Sequence, residues 1–248
     1  MPELLLFLAE MPLPQNASTL TVLMLGFALG LQHATEADHL AAVTTIVSER
    51  RNLLSASIIG GFWGVGHTIS LFIVGALVIF LKLQISESLE ARLEAVVGVM
   101  LVFLGANVLR KVFFGQQKIH IHKHSHGDLT HTHLHQHTDE KAEESHHFLR
   151  FSPRSVVIGM IHGLAGSAAL MLLIVPTIES PVVALAYILI FGIGSIGGMM
   201  LMSFLIGLPF HFTAKNLVNL NKIIRFAAGI FSFGLGLFII YEKLFSAV

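Results

Sequence analysis

The sequence predicts an all-α polytopic membrane protein whose six transmembrane helices form two inverted three-helix repeats, and three observations predict it. The 248 residues are 54% hydrophobic and 12% charged, with a mean hydropathy of +0.77; an ordinary soluble domain carries about 25% charged residues. Six apolar segments, 19–47, 55–81, 91–109, 155–177, 181–208 and 224–241, approach or exceed the roughly 20 residues a helix needs to cross a hydrocarbon core of about 30 Å. The two halves also align. "LGLQHATEADHLA" lies over "IGMIHGLAGSAAL", "WGVGHTIS" over "FGIGSIGG" and "GVMLVFLG" over "GIFSFGLG", at offsets of 128 to 131 residues. Three spans in each half force opposite orientations, the plan of inverted-repeat transporters that bind substrate where the repeats meet.

Taken in order, "MPELLLFLAEMPLP" lacks a basic n-region and reads as a short interfacial tail. Residues 1–110 form the N-terminal three-helix repeat, 111–153 a polar loop rich in histidine, and 154–248 the C-terminal three-helix repeat. Arg50, Arg51, Arg110, Lys111, Lys118, Lys123, Lys141, Arg150, Arg154, Lys215, Lys222 and Arg225 fall on one side of the spans, against Lys82, Arg92 and Lys243 on the other. Twelve to three predicts a multi-pass protein of the cytoplasmic (inner) membrane, with both termini outside and the loop in the cytoplasm.

The first span is interrupted by "HATEADH", residues 33–39, which puts two histidines, a glutamate and an aspartate at membrane depth. An ionised side chain there costs roughly 2.5–3.5 kcal/mol on insertion scales, so the group must face protein, water or a bound ion. A patch that glues helices together is the plain reading of a single buried histidine; four ionisable groups in seven residues favour a ligand set. Imidazole nitrogen with carboxylate oxygen suits Ni(II), Co(II) and Zn(II). On a regular helix, however, Asp38 and His39 lie about 140° and 240° round from His33. One ion can use them together only if the helix breaks at the heptad, as at transporter midplane sites.

The repeat extends the candidate set. His162 occupies the position that aligns with His33, and His67 lies in span two beside Thr68, aligned with Ser195; Ser167 aligns with Asp38. His33, Glu36, Asp38, His39, His67 and His162 are the expected metal ligands, with Thr68, Ser167 and Ser195 behind them. Met199, Met200 and Met202 read as packing residues. In "HIHKHSHGDLTHTHLHQH", His120, His122, His124 and His126, then His131, His133, His135 and His137, recur at a strict spacing of two. An extended chain places each set along one edge, suited to buffering cytoplasmic metal, and a segment so poor in apolar mass is expected to be disordered without metal.

"HATEADH" matches H-x-x-x-x-D-H, and on this signature, embedded in a span, the chain resembles the nickel/cobalt transporter family (NiCoT) within the wider nickel–cobalt transporter superfamily (NicO). The resemblance implies secondary transport of Ni(II) or Co(II) across the cytoplasmic membrane, with His33, Asp38 and His39 selecting the metal. Import is preferred. Efflux of nickel, cobalt or zinc is the alternative, because a six-span plan with a histidine-rich cytoplasmic loop resembles the export branch.

Other classes fit less well. The absence of cysteine excludes disulfides, thiol redox relays and thiolate zinc sites. A net charge of zero gives no sign of a nucleic-acid partner, and no glycine-rich P-loop is present for nucleotide hydrolysis. An intramembrane protease built on Ser195 lacks an acidic orienter, and H-E-x-x-H is absent, so no enzymatic activity and no tightly bound cofactor are expected. A non-transporting membrane chaperone that hands metal to a maturing metalloenzyme is the alternative of another class. It would keep the loop.

Overall fold

The computed structural model describes residues 18–48, 52–83, 86–115, 118–126, 129–137, 152–164, 178 and 180–245, and of 118–126, 129–137 and 215–216 the backbone alone. Seven helices are present among the described residues: α1 (Thr19–His33), α2 (Ala37–Val47), α3 (Leu53–Leu81), α4 (Glu87–Phe114), α5 (Pro153–Gly163), α6 (Pro181–Asn216) and α7 (Val218–Phe245). Local chemistry sets their starts. Ser18 and Asn52 accept bonds from the orphan N–H groups of Thr21 and of Leu54 and Ser55, while Pro153 and Pro181 open α5 and α6, where a missing N–H costs nothing.

Four of these helices, α3, α4, α6 and α7, are long and apolar enough to cross a membrane. This corrects the expectation of six spans in two three-helix repeats. The first predicted span is not one helix but two, of 15 and 11 residues; at 1.5 Å per residue the longer reaches only about 22 Å. Of the predicted span 155–177, helix is described only to Gly163, with Leu164 as its C-cap, and 165–177 lie outside the described residues. So does the N-terminal tail.

The glycines that suggested a duplication have a packing role. α4 runs along α7 and α3 lies between α5 and α6. A Cβ on Gly98 would strike the Gly236 carbonyl, and one on Gly105 the Gly229 carbonyl; between α3 and α5, Gly66 meets the Val156 carbonyl and Gly159 the Trp63 carbonyl. Small residues let apolar helices approach to backbone contact where lipid supplies no hydrophobic drive between them. The Ser70 hydroxyl donates to the Met160 carbonyl across the α3–α5 crossing at 2.8 Å. Outward, Leu77, Phe103, Phe204 and Phe238 are exposed, as side chains that meet lipid are.

The histidine runs are extended, as their spacing predicts, and they pair rather than remaining disordered. β1 (Lys118–His126) and β2 (Leu129–His137) form an antiparallel ribbon with His120 opposite His135, His122 opposite His133 and His124 opposite His131. A spacing of two is the strand period. All eight histidines therefore occupy register positions on one face.

Gly159→Leu is expected to destabilise the protein by about 1–3 kcal/mol, the range for overpacking, seen as a lower thermal midpoint in detergent. Gly234→Leu, at a position with open space around its would-be Cβ, should leave that midpoint unchanged.

Candidate metal centre

The centre begins with the break in the first helix. At the C-terminus of α1 the Thr35 and Glu36 N–H groups donate to the Gln32 and His33 carbonyls at 2.7 and 3.1 Å, and the Thr35 hydroxyl also reaches Gln32. Glu36 is extended (φ −64°, ψ 151°) and caps α2. The chain thus leaves α1 at His33 and restarts at Ala37, between the residues where the sequence requires a break. Asp38 falls in the first turn of α2, where the helix dipole favours an anion, and its Oδ1 accepts the His39 N–H at 2.8 Å.

α3 and α5 complete the site from other directions. His33, His39, His67 and His162 are all at most 2% exposed. His33 Nε2 lies 3.2 Å from His67 Nε2, and His39 Nδ1 lies 3.2 Å from His162 Nε2. The Asp38 carboxylate spans the second pair, with Oδ1 3.0 Å from His39 Nδ1 and Oδ2 3.2 Å from His162 Nε2. Two trios result, His33/His39/His67 and Asp38/His39/His162, each with ligand atoms within 4.8 Å of one another. His39 belongs to both.

The donor set fits a metal ion. Two nitrogens bound tetrahedrally at about 2.05 Å sit about 3.3 Å apart, close to the separations seen. His39 Nε2 and His162 Nδ1 are buried without a hydrogen-bond partner, a costly state for polar atoms. Nitrogen and oxygen without sulfur match borderline divalent ions.

Each expected residue can be placed. His33, Asp38, His39, His67 and His162 converge. Glu36 is in neither trio: its Oε1 lies 2.8 Å from His33 Nδ1, behind the imidazole, where a carboxylate fixes ring orientation and tautomer. Thr68 donates to the Gly64 and Gly192 carbonyls, and Ser195 to the Gly30 carbonyl, so both hydroxyls bridge helix crossings. Ser167 lies outside the described residues, and the side chains of His120, His122, His124, His126, His131, His133, His135 and His137 do too.

Three features escape the sequence reading. Trp63, the single tryptophan, is buried with its ring 5.3 Å from His39 and 5.4 Å from His162; its spacing of four from His67 on α3 was the available signal. Phe191 flanks His33 at 5.5 Å. Glu94 pairs with Lys243 at 2.5 Å, a contact between residues far apart in sequence that no local pattern reveals.

Over residues 40–237 the chain matches the family described as cytochrome c biogenesis protein transmembrane region. It is similar to the urease accessory protein UreH of Bacillus sp. (strain TB-90), 39% identical over 219 residues, which are 83% of this chain and 85% of that protein. It is also similar to the chloroplast proteins FOR GROWTH AND FERTILITY 2 and 1 of Arabidopsis thaliana. The first is 25% identical over 232 residues and the second 24% over 228, covering 93% and 91% of this chain. The chain spans about three fifths of their length, 59% and 60%. No solved structure matches it.

These matches overturn the resemblance to the nickel/cobalt transporter family. H-x-x-x-x-D-H specifies three positions in seven, a local ligand pattern that can arise on different scaffolds; kinship shows in the course of the whole chain, and chemistry lives in sites grafted on it.

Glu36→Ala removes the bond that orients His33 and is expected to weaken divalent-metal affinity by about 10- to 100-fold. Glu36→Gln, which retains an acceptor, should fall between it and the native chain. Calorimetric titration of the purified protein with Ni(II) measures both.

Proposed function

We propose, starting from a chain that belongs to the family of the cytochrome c biogenesis protein transmembrane region, that it is a membrane metal chaperone, holding a divalent transition-metal ion between its helices for the maturation of a metalloenzyme. One observation carries the reading: five ligand-capable side chains from α1, α2, α3 and α5 meet in a buried site where two imidazole nitrogens are left unbonded. The chain has no cysteine, so membership of this family brings no thiol chemistry here. The relative named as a urease accessory protein supports service to an enzyme, and urease is a nickel enzyme, which makes Ni(II) the first ion to test.

In this reading Asp38, His39 and His162 hold the ion through oxygen and two nitrogens, and His33, His39 and His67 offer an all-nitrogen set beside it. His39 is common to both. A ligand shared by two sets lets an ion pass from one to the other without facing lipid. The excess of lysine and arginine on the loop side supports a cytoplasmic location for the histidine ribbon, where its histidines, at register positions on one face, would buffer cytoplasmic metal apart from the centre.

Passage of Ni(II) or Co(II) across the membrane is the second reading. The break between α1 and α2 favours it, because discontinuous helices mark sites where an ion is loaded inside the bilayer. Nickel flux into proteoliposomes separates the two readings. Chaperone action requires binding without flux.

Trp63 reports the binding. Open-shell Ni(II) or Co(II) held beside the indole should quench its emission, whereas Zn(II), a d¹⁰ ion, should bind with little quenching. Asp38→Asn and His39→Ala are expected to abolish the signal. Emission and titration heat both unchanged by Ni(II), Co(II) and Zn(II) in the folded native chain would refute a metal role for the centre.

A further inference from the structure

Beside the histidine centre lie two half-open pockets that share a wall. The inner one, of about 290 Å³, is lined by Glu36, Asp38, Glu94 and Lys243 together with apolar side chains of α7 such as Leu235. The outer one, of about 270 Å³, is lined by Glu87, Glu90, Ala91, Glu94 and Lys243. Only Glu94 and Lys243 line both, so their ion pair stands between the two spaces.

The arrangement has a direction. Glu87, Glu90 and Glu94 follow one face of α4 at the i, i+3, i+7 spacing that stacks side chains along a helix. Beyond them come Glu36, which holds His33, and Asp38, which is both a wall of the inner cavity and a member of the Asp38/His39/His162 trio. Five carboxylates face one ammonium. Low-dielectric walls focus that charge and concentrate cations. At the far end Asp38 meets His39 Nδ1 and His162 Nε2 at 3.0 and 3.2 Å, which makes this more than an acidic patch: the row of carboxylates ends on a member of a buried trio that could hold a metal ion. The chamber lies where α4 begins and α7 ends, at the opposite end of α4 from the histidine ribbon that follows it.

We infer that this double chamber is the way by which a divalent cation reaches the centre, with Glu94 as an intermediate carboxylate and Lys243 as the latch that occupies it when no cation is present. The ammonium of Lys243 takes the place of the metal's charge at Glu94. A divalent ion arriving from Glu87 and Glu90 displaces it by the stronger attraction of two charges, and passes to Asp38. The inference rests on the metal-binding reading above and assigns the side from which the centre is loaded.

Stopped-flow mixing of the full chain in lipid nanodiscs with Ni(II), read by quenching of Trp63, tests it. Glu94→Gln should slow association by roughly tenfold, and Lys243→Gln should accelerate it by a comparable factor, the scale of electrostatic steering into a charged cleft. Because the chain has no cysteine, a bulky maleimide can be placed at will. On Ala91→Cys, inside the outer cavity, it should block quenching; on Val96→Cys, exposed on another face of α4, it should not. Native rates in both charge variants, or native rates in maleimide-labelled Ala91→Cys, overturn the chamber while leaving the centre as a metal site. A native chain that Ni(II) does not quench, and that takes up none by calorimetry, overturns the metal reading and the chamber together.

Discussion

An ionisable side chain in the hydrocarbon layer has to be turned toward something that accepts it, and the first apolar stretch carries four of them in seven residues. A continuous helix would distribute His33, Glu36, Asp38 and His39 around its circumference and leave some facing lipid. The chain avoids this by ending α1 at His33 and restarting at Ala37. Of the irregular stretch, Ala34 is buried and Thr35 exposed, and its freed N–H groups are satisfied locally, Thr35 on the Gln32 carbonyl and Glu36 on the His33 carbonyl. Much else in the molecule depends on this break: it brings His33 to His67 and points His39 and Asp38 at His162.

The helices around the break are placed by close approach rather than by buried bulk. Glycine contacts draw α5 onto α3, so that His162 and His67 are carried in on rigid elements that meet at backbone distance. Ser70 fastens the same crossing with a hydrogen bond. Trp63, itself buried, packs against His39 and His162 and gives them an apolar neighbour in an interior where electrostatic attraction is stronger than in water. Thr68 and Ser195, which carry polar groups into the α6 crossings, spend them on carbonyls and so leave the imidazoles to one another and to the carboxylates.

Charge is graded along the structure. The only base among the chamber walls, Lys243, is matched to Glu94, while Glu36 and Asp38 are matched to imidazoles. A carboxylate bonded to an imidazole nitrogen fixes the orientation and tautomer of the ring. The family that the chain belongs to is therefore represented here by a member whose polar interior is built from imidazole and carboxylate, in a sequence without a single thiol.

The sequence by itself determined the membrane class, the apolar courses of α3, α4, α6 and α7, the helix break within the heptad and the residue types of the centre. Each is a local property: a run of apolar residues, or a set of charges that a straight helix cannot bury. It misjudged the span count and the kinship, because two short helices and one long helix have the same hydropathy, and because a seven-residue ligand pattern says little about the course of the rest of the chain. Spaced glycines likewise read as a duplication, although close packing needs the same residues. What only the tertiary structure decided was which side chains meet. The approach of His162 to Asp38, of Trp63 to His39 and of Lys243 to Glu94 joins residues up to 149 positions apart. Such contacts are set by how helices cross, and a crossing is a property of two surfaces that no single stretch of sequence contains.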